Sequence, residues 1–517
     1  MPQPNTFYVT TPIYYVNDRP HIGHVYTTTL ADVLARYHRL RGDDVFFLTG
    51  TDEHAAKVVD TAAERGKSAQ EWADHNAEQF QRTFKALGMS HDDFIRTSDE
   101  RHTSRVTKYV KQLLETGDVY EGEYEGWYDA SQEEYLPENR AKEYDYKSPI
   151  TGRPLVRKAE KNYFFKLSRY ADALLELMEK QPDFVQPDSR RNEVLARIRD
   201  GLNDVPVSRT GTGGWGITMP GDEQQTIYVW IDALFNYLTA VDTDDRQHYW
   251  PADVHLIAKD ILWFHAVIWP AMLMALDKPL PKHVYTHSFW IAEGQKMSKS
   301  LGNFVDLEKI DSYVETYGLD ALRWFLATQG PLGSTDSDFA HAKFVDVYNM
   351  DLANTLGNCA ARVTNMIARY FDGELPTPVA GRDDADAKHL RSVATGMFDH
   401  VDALYKKVAV AAANHAALDV VHAIDTYIEQ TQPFRLAKEP EKRDRLGTIL
   451  YDCAEALRIA SLGLWPVLPG KVEQLWQLLG VEYDTTAGDL QNWTKWGGLK
   501  PGTKITKDKP LFPRMTE

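Results

Sequence analysis

The stretch TPIYYVNDRPHIGHVYTTTLADVLARY, residues 11–37, changes its hydrophobic period in the middle. The residues from Phe7 to Ile13, which overlap the start of this stretch, are mostly β-branched or aromatic. This composition favours a half-buried strand. From Ile22 onward apolar residues recur every three or four positions, as in an amphipathic helix. We therefore expect a strand followed by a helix whose first turn contains His21 and His24. Because a helix N-terminus attracts anions, the two imidazoles there are candidates for binding phosphate.

Three further strand-like runs lead directly into polar or charged residues. VFFL is followed by TGTDEHA, VHLIA is followed by Lys-Asp, and VYTHSFWI leads to GQKMSKSLGN. Strands that alternate with helical patterns predict a parallel sheet, which binds ligands beyond the carboxyl ends of its strands. We therefore expect one crevice to bring together His21, His24, Asp52, Asp260, Lys296 and Lys299.

Length, cysteine content and charge narrow the class of protein. A chain of 517 residues is too long for one core, so two to four domains are expected. It has no membrane-length apolar run and no signal-peptide pattern, and its two cysteines, Cys359 and Cys453, fall in helix-like segments. We therefore expect a cytoplasmic protein with no membrane partner. The net charge of −17 argues against broad, non-specific nucleic-acid binding but permits a local basic surface.

The segments HIGH at 21–24 and KMSKS at 296–300 resemble the two signatures of class I aminoacyl-tRNA synthetases, in that family's order. Flanking segments narrow the resemblance to the methionyl-tRNA synthetase family: TPIYYVNDRPHIGH, GTDEHA, YVWIDALFNY, KDILWFHAVIWPAML, KMSKSLGN and LFPR. The resemblance covers essentially the whole chain. It implies ligation of L-methionine to its tRNA through methionyl-adenylate, with ATP and Mg²⁺ used and AMP and pyrophosphate released.

Amino-acid activation is an in-line attack of a carboxylate on the α-phosphorus of ATP, so it needs positioning and charge stabilisation rather than a protein nucleophile. Imidazoles at a helix start and lysines on a Gly-flanked loop fit that requirement. The resemblance assigns catalysis to His21, His24, Lys296 and Lys299. It implies that ATP contacts these four residues together with Gly23, which allows close approach of the adenine, and Asp260.

A methionine site needs aromatic side chains and a weak hydrogen-bond donor, because a thioether packs well against ring edges. The resemblance implies a methionine pocket formed by Ile13, Tyr15, Asp52, Trp230, Ala233, Leu234, Tyr237, Ile261, His265 and Trp269. In that pocket Asp52 binds the α-ammonium group. Ordinary core packing is the alternative for the tryptophans. Because His265 and Trp269 are four residues apart on a predicted helix, we expect them to share a face of the pocket.

The predicted fold class is α/β, with a Rossmann-like parallel-sheet catalytic domain, an inserted connective domain and a C-terminal α-helical anticodon-binding domain. The predicted boundaries are 1–116 and 226–290 for the catalytic halves, 117–225 for the insertion, 291–346 for the KMSKS loop and connector, and 347–517 for the helical domain. Many relatives carry zinc knuckles in the insertion. Here Asp129, Gln132 and Ser148 replace the expected cysteines, so we expect a knuckle without structural zinc or any other metal.

Asn354, Asn358, Arg362 and Asn365 form one polar stripe at helical spacing in the C-terminal domain. Amides and a guanidinium suit base edges. The resemblance assigns anticodon binding to Asn358 and Arg362, and to the pair Pro433-Phe434, where many relatives have tryptophan for stacking on a base. The implied partner is methionine tRNA, initiator and elongator. Because the sequence ends soon after LFPR, we expect a monomer.

Two other classes of protein share parts of this pattern. A small-molecule nucleotidyltransferase also uses an HxGH helix start, but it needs neither the helical C-terminal domain nor the Trp-rich pocket. A non-catalytic tRNA-binding relative would tolerate loss of His24 or Lys299, and both are present. Among the synthetases, the cysteine enzyme requires zinc-binding cysteines in its pocket and the leucine enzyme a large editing insertion, and neither is found in the sequence.

Overall fold

The computed structural model describes residues 5–130, 134–136, 138–210, 214–297, 302–379, 384–506 and 509–515. The strands in these ranges are β1 (Thr6–Tyr15), β2 (Asp44–Asp52), β3 (Asp93–Arg96), β4 (Val119–Asp129), β5 (Glu134–Leu136), β6 (Val156–Phe165), β7 (Val185–Gln186), β8 (Val205–Pro206), β9 (Ser208–Arg209), β10 (Thr218–Met219), β11 (Asp222–Ile227), β12 (Val254–Ala258), β13 (His283–His287), β14 (Trp290–Ala292), β15 (Gln295–Lys296) and β16 (Ser337–Asp338).

The α-helices of the same ranges alternate with the strands in the first half and dominate the second half. They are α1 (Ile22–Arg41), α2 (Ala56–Glu64), α3 (Ala69–Ala86), α4 (Glu100–Glu115), α5 (Glu138–Glu143), α6 (Ala171–Lys180), α7 (Asp188–Arg199), α8 (Val229–Leu234), α9 (Asn236–Thr239), α10 (Trp269–Ala275), α11 (Leu307–Tyr317), α12 (Leu319–Gln329), α13 (His341–Val347), α14 (Asn358–Tyr370), α15 (Ala385–Tyr405), α16 (Val410–Thr431), α17 (Pro433–Leu436), α18 (Arg443–Leu464), α19 (Pro469–Leu479) and α20 (Leu490–Trp493). Two π-helical stretches, Phe264–Ile268 and Tyr348–Gly357, precede α10 and α14.

The main sheet of the described residues has the strand order β3-β2-β1-β12-β13-β7, and every pair in it is parallel. Eight of the nine residues of β2 are buried, because helices cover both faces of the sheet. This arrangement confirms the predicted parallel α/β class. It also brings the carboxyl ends of β1, β2, β12 and β13 to one edge, where such sheets bind ligands.

The run VYTHSFWI, predicted as one strand, forms two strands in different sheets. β13 belongs to the main sheet, whereas β14 pairs with β15 and β16 in a separate three-stranded sheet. The chain leaves the main sheet after His287 because other groups take its backbone bonds. The Ser288 N–H donates to the Pro331 carbonyl, and the Phe289 N–H donates to the Asp336 carboxylate at 2.9 Å. The small sheet presents the hairpin that leads into the KMSKS segment.

The predicted insertion 117–225 is divided between two environments. Its first part forms the antiparallel sheet β5-β4-β6-β8, with a small apolar cluster of Leu136, Ala141 and Leu155 beside it. Its second part contributes β7 to the edge of the main sheet and packs apolar residues of α6 and α7 into the core beneath that sheet. The second part therefore builds the catalytic domain, which the sequence did not indicate because β7 has only two residues.

The C-terminal half of the described chain is a helical assembly in which α15, α16 and α18 pack against one another. Its apolar core is continuous with residues of α1 and α12, so the helical region packs directly on the catalytic domain. α18 is buried along nearly its whole length, in keeping with its mostly apolar and small residues, and the buried Glu455 and Arg458 within it pair with each other. Within the described ranges, every helix is either too short or too polar to span a membrane.

Candidate active site

A cavity of about 330 Å³ lies beyond the carboxyl ends of β1, β2, β12 and β13. It collects residues that are far apart in sequence but adjacent at strand ends or on the helices that follow them. Thirteen of the residues predicted for catalysis, ATP or methionine line it: Ile13, Tyr15, His21, Gly23, His24, Asp52, Trp230, Ala233, Leu234, Tyr237, Asp260, Ile261 and His265.

Three predicted residues are not in the lining. Trp269 is fully buried behind the pocket wall, where its ring centroid lies 6.2 Å from that of Tyr237 and its Nε1–H donates to His255 Nε2 at 3.3 Å. Both Trp269 and His265 pack against Tyr237, but only His265 of this pair lines the cavity, and the chain between them, Phe264–Ile268, is π-helical. Lys296 is exposed on β15, and Lys299 falls outside the described residues.

The two histidines of the HIGH segment cap the helix that they begin. The Gly23 N–H donates to His21 Nδ1 at 3.1 Å, and the His21 N–H donates to His24 Nδ1 at 3.2 Å, so α1 starts with a reciprocal capping box. Because both Nδ1 atoms accept, each neutral ring carries its proton on Nε2. The imidazoles are thereby set as Nε2–H donors beside the cavity.

Burial and the neighbouring His21 ring lower the pKa of His24 well below its ordinary value. His24 is therefore neutral at physiological pH and acts as a hydrogen-bond donor, not as a cation. Gly23 makes the arrangement possible, since a Cβ there would lie 2.9 Å from Cε1 of His21. Any larger residue would push the His21 ring away from its capping position.

The wall opposite the histidine pair is aromatic and uncharged. The Tyr237 hydroxyl lies 2.8 Å from His265 Nε2, and His265 Nδ1 lies 2.9 Å from the Ile261 carbonyl. Since the carbonyl can only accept, Nδ1 carries the proton and Tyr237 donates to Nε2. Burial lowers the pKa of His265 to about 4, so this ring is neutral as well. Trp230 stacks on Phe264 with centroids 4.1 Å apart, which holds its indole at the cavity.

Two carboxylates at strand ends supply the negative charge of the site. Asp52 ends β2 and is 2% exposed, while the adjacent Glu53 is bound by Arg96 through two hydrogen bonds of 2.7 and 2.9 Å. The pairing of Glu53 leaves Asp52 as the carboxylate of this pair that lines the cavity. Asp260 follows β12, and burial raises its pKa. A cavity with one buried carboxylate near an apolar wall suits an amino acid with an uncharged side chain.

The structure adds several lining residues that were not predicted: Pro12, Tyr14, Thr27, Ala258, His287, Ser288, Phe289 and Trp290. His287 is the most informative of them. Its Nε2 lies 2.7 Å from the Thr27 hydroxyl on α1, its Nδ1 lies 2.8 Å from the Ser288 carbonyl, and burial lowers its pKa to about 4. The signal that indicates it is its position as the last residue of β13, the same strand-end rule that indicates Asp52.

The residues predicted for the anticodon lie on the C-terminal helices. Asn358 is exposed at the first position of α14, and Arg362, one turn later, donates to Asp425 on α16 at 2.8 Å. Phe434 on α17 leaves 46% of its surface exposed, whereas Pro433 is buried. The structure thus presents an amide and a paired guanidinium on α14 and an exposed ring on α17, and both helices pack against α18.

The replaced cysteine positions of the insertion do not offer a thiolate zinc site. Asp129 and Ser148 are buried, and Ser148 Oγ accepts the Thr151 N–H at 3.1 Å within a turn, while Gln132 lies outside the described residues. No group of three or more His, Cys, Asp or Glu side chains arranged to bind a metal occurs in the described part of the chain. The oxygen donors present do not match the Cys and His set that structural zinc prefers.

Comparison with known proteins identifies the family. The sequence model of the tRNA synthetases class I (M) matches residues 7–144 and 140–364. The chain belongs to the class I methionyl-tRNA synthetase family. Methionine–tRNA ligase of Caldanaerobacter subterraneus subsp. tengcongensis is 45% identical over 515 residues, which cover 99% of this chain and 79% of that relative. The Bacillus subtilis enzyme of the same name is 42% identical and is covered to the same 79%.

Solved structures of the family agree with the fold. The methionyl-tRNA synthetase of Mycobacterium tuberculosis in complex with methionyl-adenylate has a TM-score of 0.90 and 37% identity, with 99% of this chain and all of that chain covered. The apo form of the same mycobacterial synthetase has a TM-score of 0.85. These values confirm a Rossmann-like catalytic domain with a helical C-terminal region for this synthetase.

Proposed function

We propose that the chain ligates L-methionine to its tRNA in two steps, with methionyl-adenylate as the intermediate. The single observation that carries the proposal is the composition of the cavity. One space combines the two neutral Nε2–H donors of a helix start, a buried carboxylate at a strand end and an uncharged aromatic wall. These are the groups needed to hold a triphosphate, an α-ammonium and a thioether side by side.

In the first step the methionine carboxylate attacks the α-phosphorus of ATP and pyrophosphate leaves. Asp52 binds the α-ammonium group, and Trp230, Tyr237 and His265 surround the side chain. Tyr15, Ala233, Leu234, Ile13 and Ile261 complete the apolar lining. This arrangement holds the attacking carboxylate in place, so that the bimolecular reaction becomes effectively unimolecular.

The charge that develops on the phosphates is met by hydrogen-bond donors and cations. His21 and His24 donate from Nε2, and Gly23 leaves room for the nucleotide beside the helix start. Lys296 and Lys299 provide ammonium groups to the phosphates, and Asp260 accepts hydrogen bonds after the end of β12. ATP binds together with Mg²⁺ as its counterion. Donors and cations whose contacts become stronger as charge develops in the transition state accelerate the step.

In the second step the methionyl group passes to the 3′ end of tRNA and AMP leaves. Asn358, Arg362, Pro433 and Phe434 recognise the anticodon of initiator and elongator methionine tRNA. The exposure of Phe434 supports this role, because bases stack on exposed aromatic faces.

We further propose that the enzyme carries no structural zinc, resides in the cytoplasm and acts as a monomer. The oxygen donors of the insertion support the first point. Cys359 and Cys453 are buried free thiols, as suits a reducing compartment. Among the described residues, the exposed large apolar side chains belong to separate segments of the chain: Tyr120, Ile150, Val156, Phe289, Met350 and Phe434. Size-exclusion chromatography with light-scattering detection tests whether the enzyme is a monomer.

Amino-acid-dependent exchange of pyrophosphate into ATP, measured with all twenty amino acids, tests the activation step. Methionine should support exchange far better than leucine, isoleucine or cysteine. Norleucine and homocysteine should be rejected less well, because an apolar pocket discriminates by only about 1–3 kcal/mol per methylene-scale difference. A preference for leucine or cysteine contradicts the proposal, and so does failure of all twenty amino acids to support exchange, which a small-molecule nucleotidyltransferase would show because its own acceptor is absent.

A further inference from the structure

A buried cluster of one aspartate and two histidines lies outside the cavity lining. Asp232, on α8, is fully buried. Its Oδ2 lies 2.7 Å from His54 Nδ1, and its Oδ1 lies 2.7 Å from His102 Nε2. Both carboxylate oxygens therefore accept a ring N–H, one from each histidine. We refer to His54, Asp232 and His102 as the His-Asp-His cluster.

The His-Asp-His cluster connects the two halves of the methionine pocket. His54 follows Asp52, the carboxylate that lines the cavity, by two residues. Asp232 lies on α8 between Trp230 and Ala233, which line the opposite wall. A chain of only two hydrogen-bonded side chains thus spans from the ammonium end of the pocket to its side-chain end.

The third member extends the connection to a second element of the wall. His102 Nδ1 lies 2.8 Å from the Thr239 hydroxyl on α9, the helix that also carries Tyr237. His102 belongs to α4, a sixteen-residue helix that packs in the core and borders α9. The short helices α8 and α9, six and four residues long, are therefore tied to a long one. Helices this short have no fixed position of their own, so their anchors determine where the wall stands.

The segment Asp52-Glu53-His54 is held from other sides as well. Arg96 binds the Glu53 carboxylate, and the Trp215 Nε1–H donates to the Glu53 carbonyl at 2.6 Å. The bond from His54 to Asp232 links this fixed strand end directly to α8. Its loss would leave the strand end in place and free the wall.

The charges of the cluster make the link strong. Although burial opposes it, the Asp232 carboxylate raises the pKa of His54, and the two histidines in turn lower the pKa of Asp232. A buried charge is tolerated only when it is paired and hydrogen-bonded, so removing one partner is costly. The cluster is thus a rigid spacer of defined length.

We infer that Asp232 is a positioning residue for amino-acid selectivity, which sets the distance between Asp52 and the side-chain wall through His54 and His102. This inference rests on the proposed function and adds the residues that fix the pocket's width. It predicts an effect on methionine binding and on the rejection of differently shaped side chains. ATP binding, at the helix start and the hairpin, should be unaffected.

The test compares disruptive with donor-preserving substitutions in pyrophosphate exchange. His54→Ala, His102→Ala and Asp232→Asn break the cluster, whereas His54→Asn and His102→Gln keep an N–H near the original donor atom. The disruptive variants should raise the KM for methionine on the order of tenfold or more, because small misplacements of substrate are costly. Relative kcat/KM for leucine should rise, while kcat and the KM for ATP should stay within about twofold. The donor-preserving variants should recover most of the methionine KM.

Glu455→Gln provides a matched control for a damaged buried ion pair. Glu455 is fully buried and pairs with Arg458 at 2.6 Å on α18, in the helical region. This variant should lower Tm without changing methionine selectivity. If the His54→Ala and Asp232→Asn variants lower Tm but keep the methionine KM and leucine rejection, the cluster is only structural and the inference is overturned. If Asp232→Asn does not fold, His54→Ala against His54→Asn decides the question. Absence of methionine-dependent exchange in the unmodified enzyme would overturn the proposed function instead.

Discussion

In the active-site cavity, polar side chains are buried and already hydrogen-bonded, as the neutral rings of His24 and His265 show. At the candidate anticodon surface, Asn358 and Phe434 are exposed to solvent. A small substrate with a reacting centre requires groups that are fixed before it arrives, in a region of low dielectric constant. Unpaired bases of an RNA loop instead stack on exposed rings and meet exposed amides. Changes in the cavity should therefore abolish activation, whereas changes at the surface should lower charging alone.

The largest expected effect belongs to Lys299 of the KMSKS segment. Lys299→Ala should slow adenylate formation by about 3–4 kcal/mol of barrier, by analogy with removal of one oxyanion donor. Methionine affinity should change little, because the ammonium acts on transition-state charge. Single-turnover adenylation measures the rate, and Lys500→Ala, at an exposed lysine of the C-terminal segment, is the control. Normal adenylation in the Lys299 variant would remove this residue from the mechanism.

The next effect concerns stability in acid, and it distinguishes the buried His287 from the partly exposed His415. The pKa of His287 is about 4 in the folded protein, below the ordinary value of about 6.5. The unfolded chain therefore binds more protons between these two values. His287 therefore does not lower the free energy of unfolding above pH 6.5, but it lowers this free energy by about 3 kcal/mol as the pH falls to 4. The free energy of unfolding of the His287→Gln variant, measured with urea, should therefore fall less than that of the unmodified enzyme between pH 6.5 and pH 4.

His415 in the helical region provides a control of opposite sign. The Asp351 carboxylate, 3.8 Å from His415 Nε2, raises the pKa of His415, so its contribution to stability is complete below pH 6.5 and is lost as the pH rises through the folded-state value. His415→Gln should therefore lower stability most in mild acid, where His287→Gln relieves a loss. Equal pH profiles for both variants and the unmodified enzyme would contradict this assignment of charges.

The strand ends were predictable because parallel strands bring their carboxyl ends to one edge whatever the connections between them. This rule placed Asp52 and Asp260 together with the helix start of β1-α1. It could not place Trp269, because tertiary contacts decide whether an aromatic side chain on a helix lines a cavity or packs behind its wall. Nor could it indicate Asp232 as a partner of His54 and His102, because 178 and 130 residues separate the partners in sequence. Local patterns thus predict elements and their ends, whereas side-chain networks between distant elements require the structure.

A smaller effect, confined to charging, is expected at the anticodon surface. Arg362→Ala should lower charging by about 1–3 kcal/mol in kcat/KM for tRNA, on the scale of a lost base contact. Methionine-dependent exchange should be nearly unchanged. Because Arg362 also pairs with Asp425, Asp425→Asn is the matched control for loss of the ion pair alone. Equal charging defects in the two variants, with equal losses of Tm, would assign Arg362 to structure.

Substitutions of Phe434 test whether an anticodon base stacks on its ring. Phe434→Ala should lower charging by about 1–3 kcal/mol, and it should leave Tm nearly unchanged because 46% of the side chain is exposed. Phe434→Trp should preserve or strengthen charging, since indole offers a larger face. Methionine tRNA with a substituted anticodon should be charged poorly by the unmodified enzyme. Parallel losses of charging and exchange in Phe434→Ala would contradict the anticodon assignment.

The smallest expected effect concerns the insertion, at its predicted knuckle. There the rings of Trp127 and Tyr146 pack with centroids 4.5 Å apart, and Glu138 accepts hydrogen bonds from both side chains. These contacts adjoin the apolar cluster of this segment and link β4 to α5, and the oxygen donors of the insertion do not match the ligands of structural zinc. The purified enzyme should therefore contain no stoichiometric zinc by elemental analysis, and a chelator should change neither Tm nor exchange. Trp127→Ala should instead lower the resistance of the insertion to proteolysis, because it removes the ring and the donor at once. One tightly held zinc per chain, with chelator-sensitive folding, would show that the oxygen donors at these positions bind metal after all.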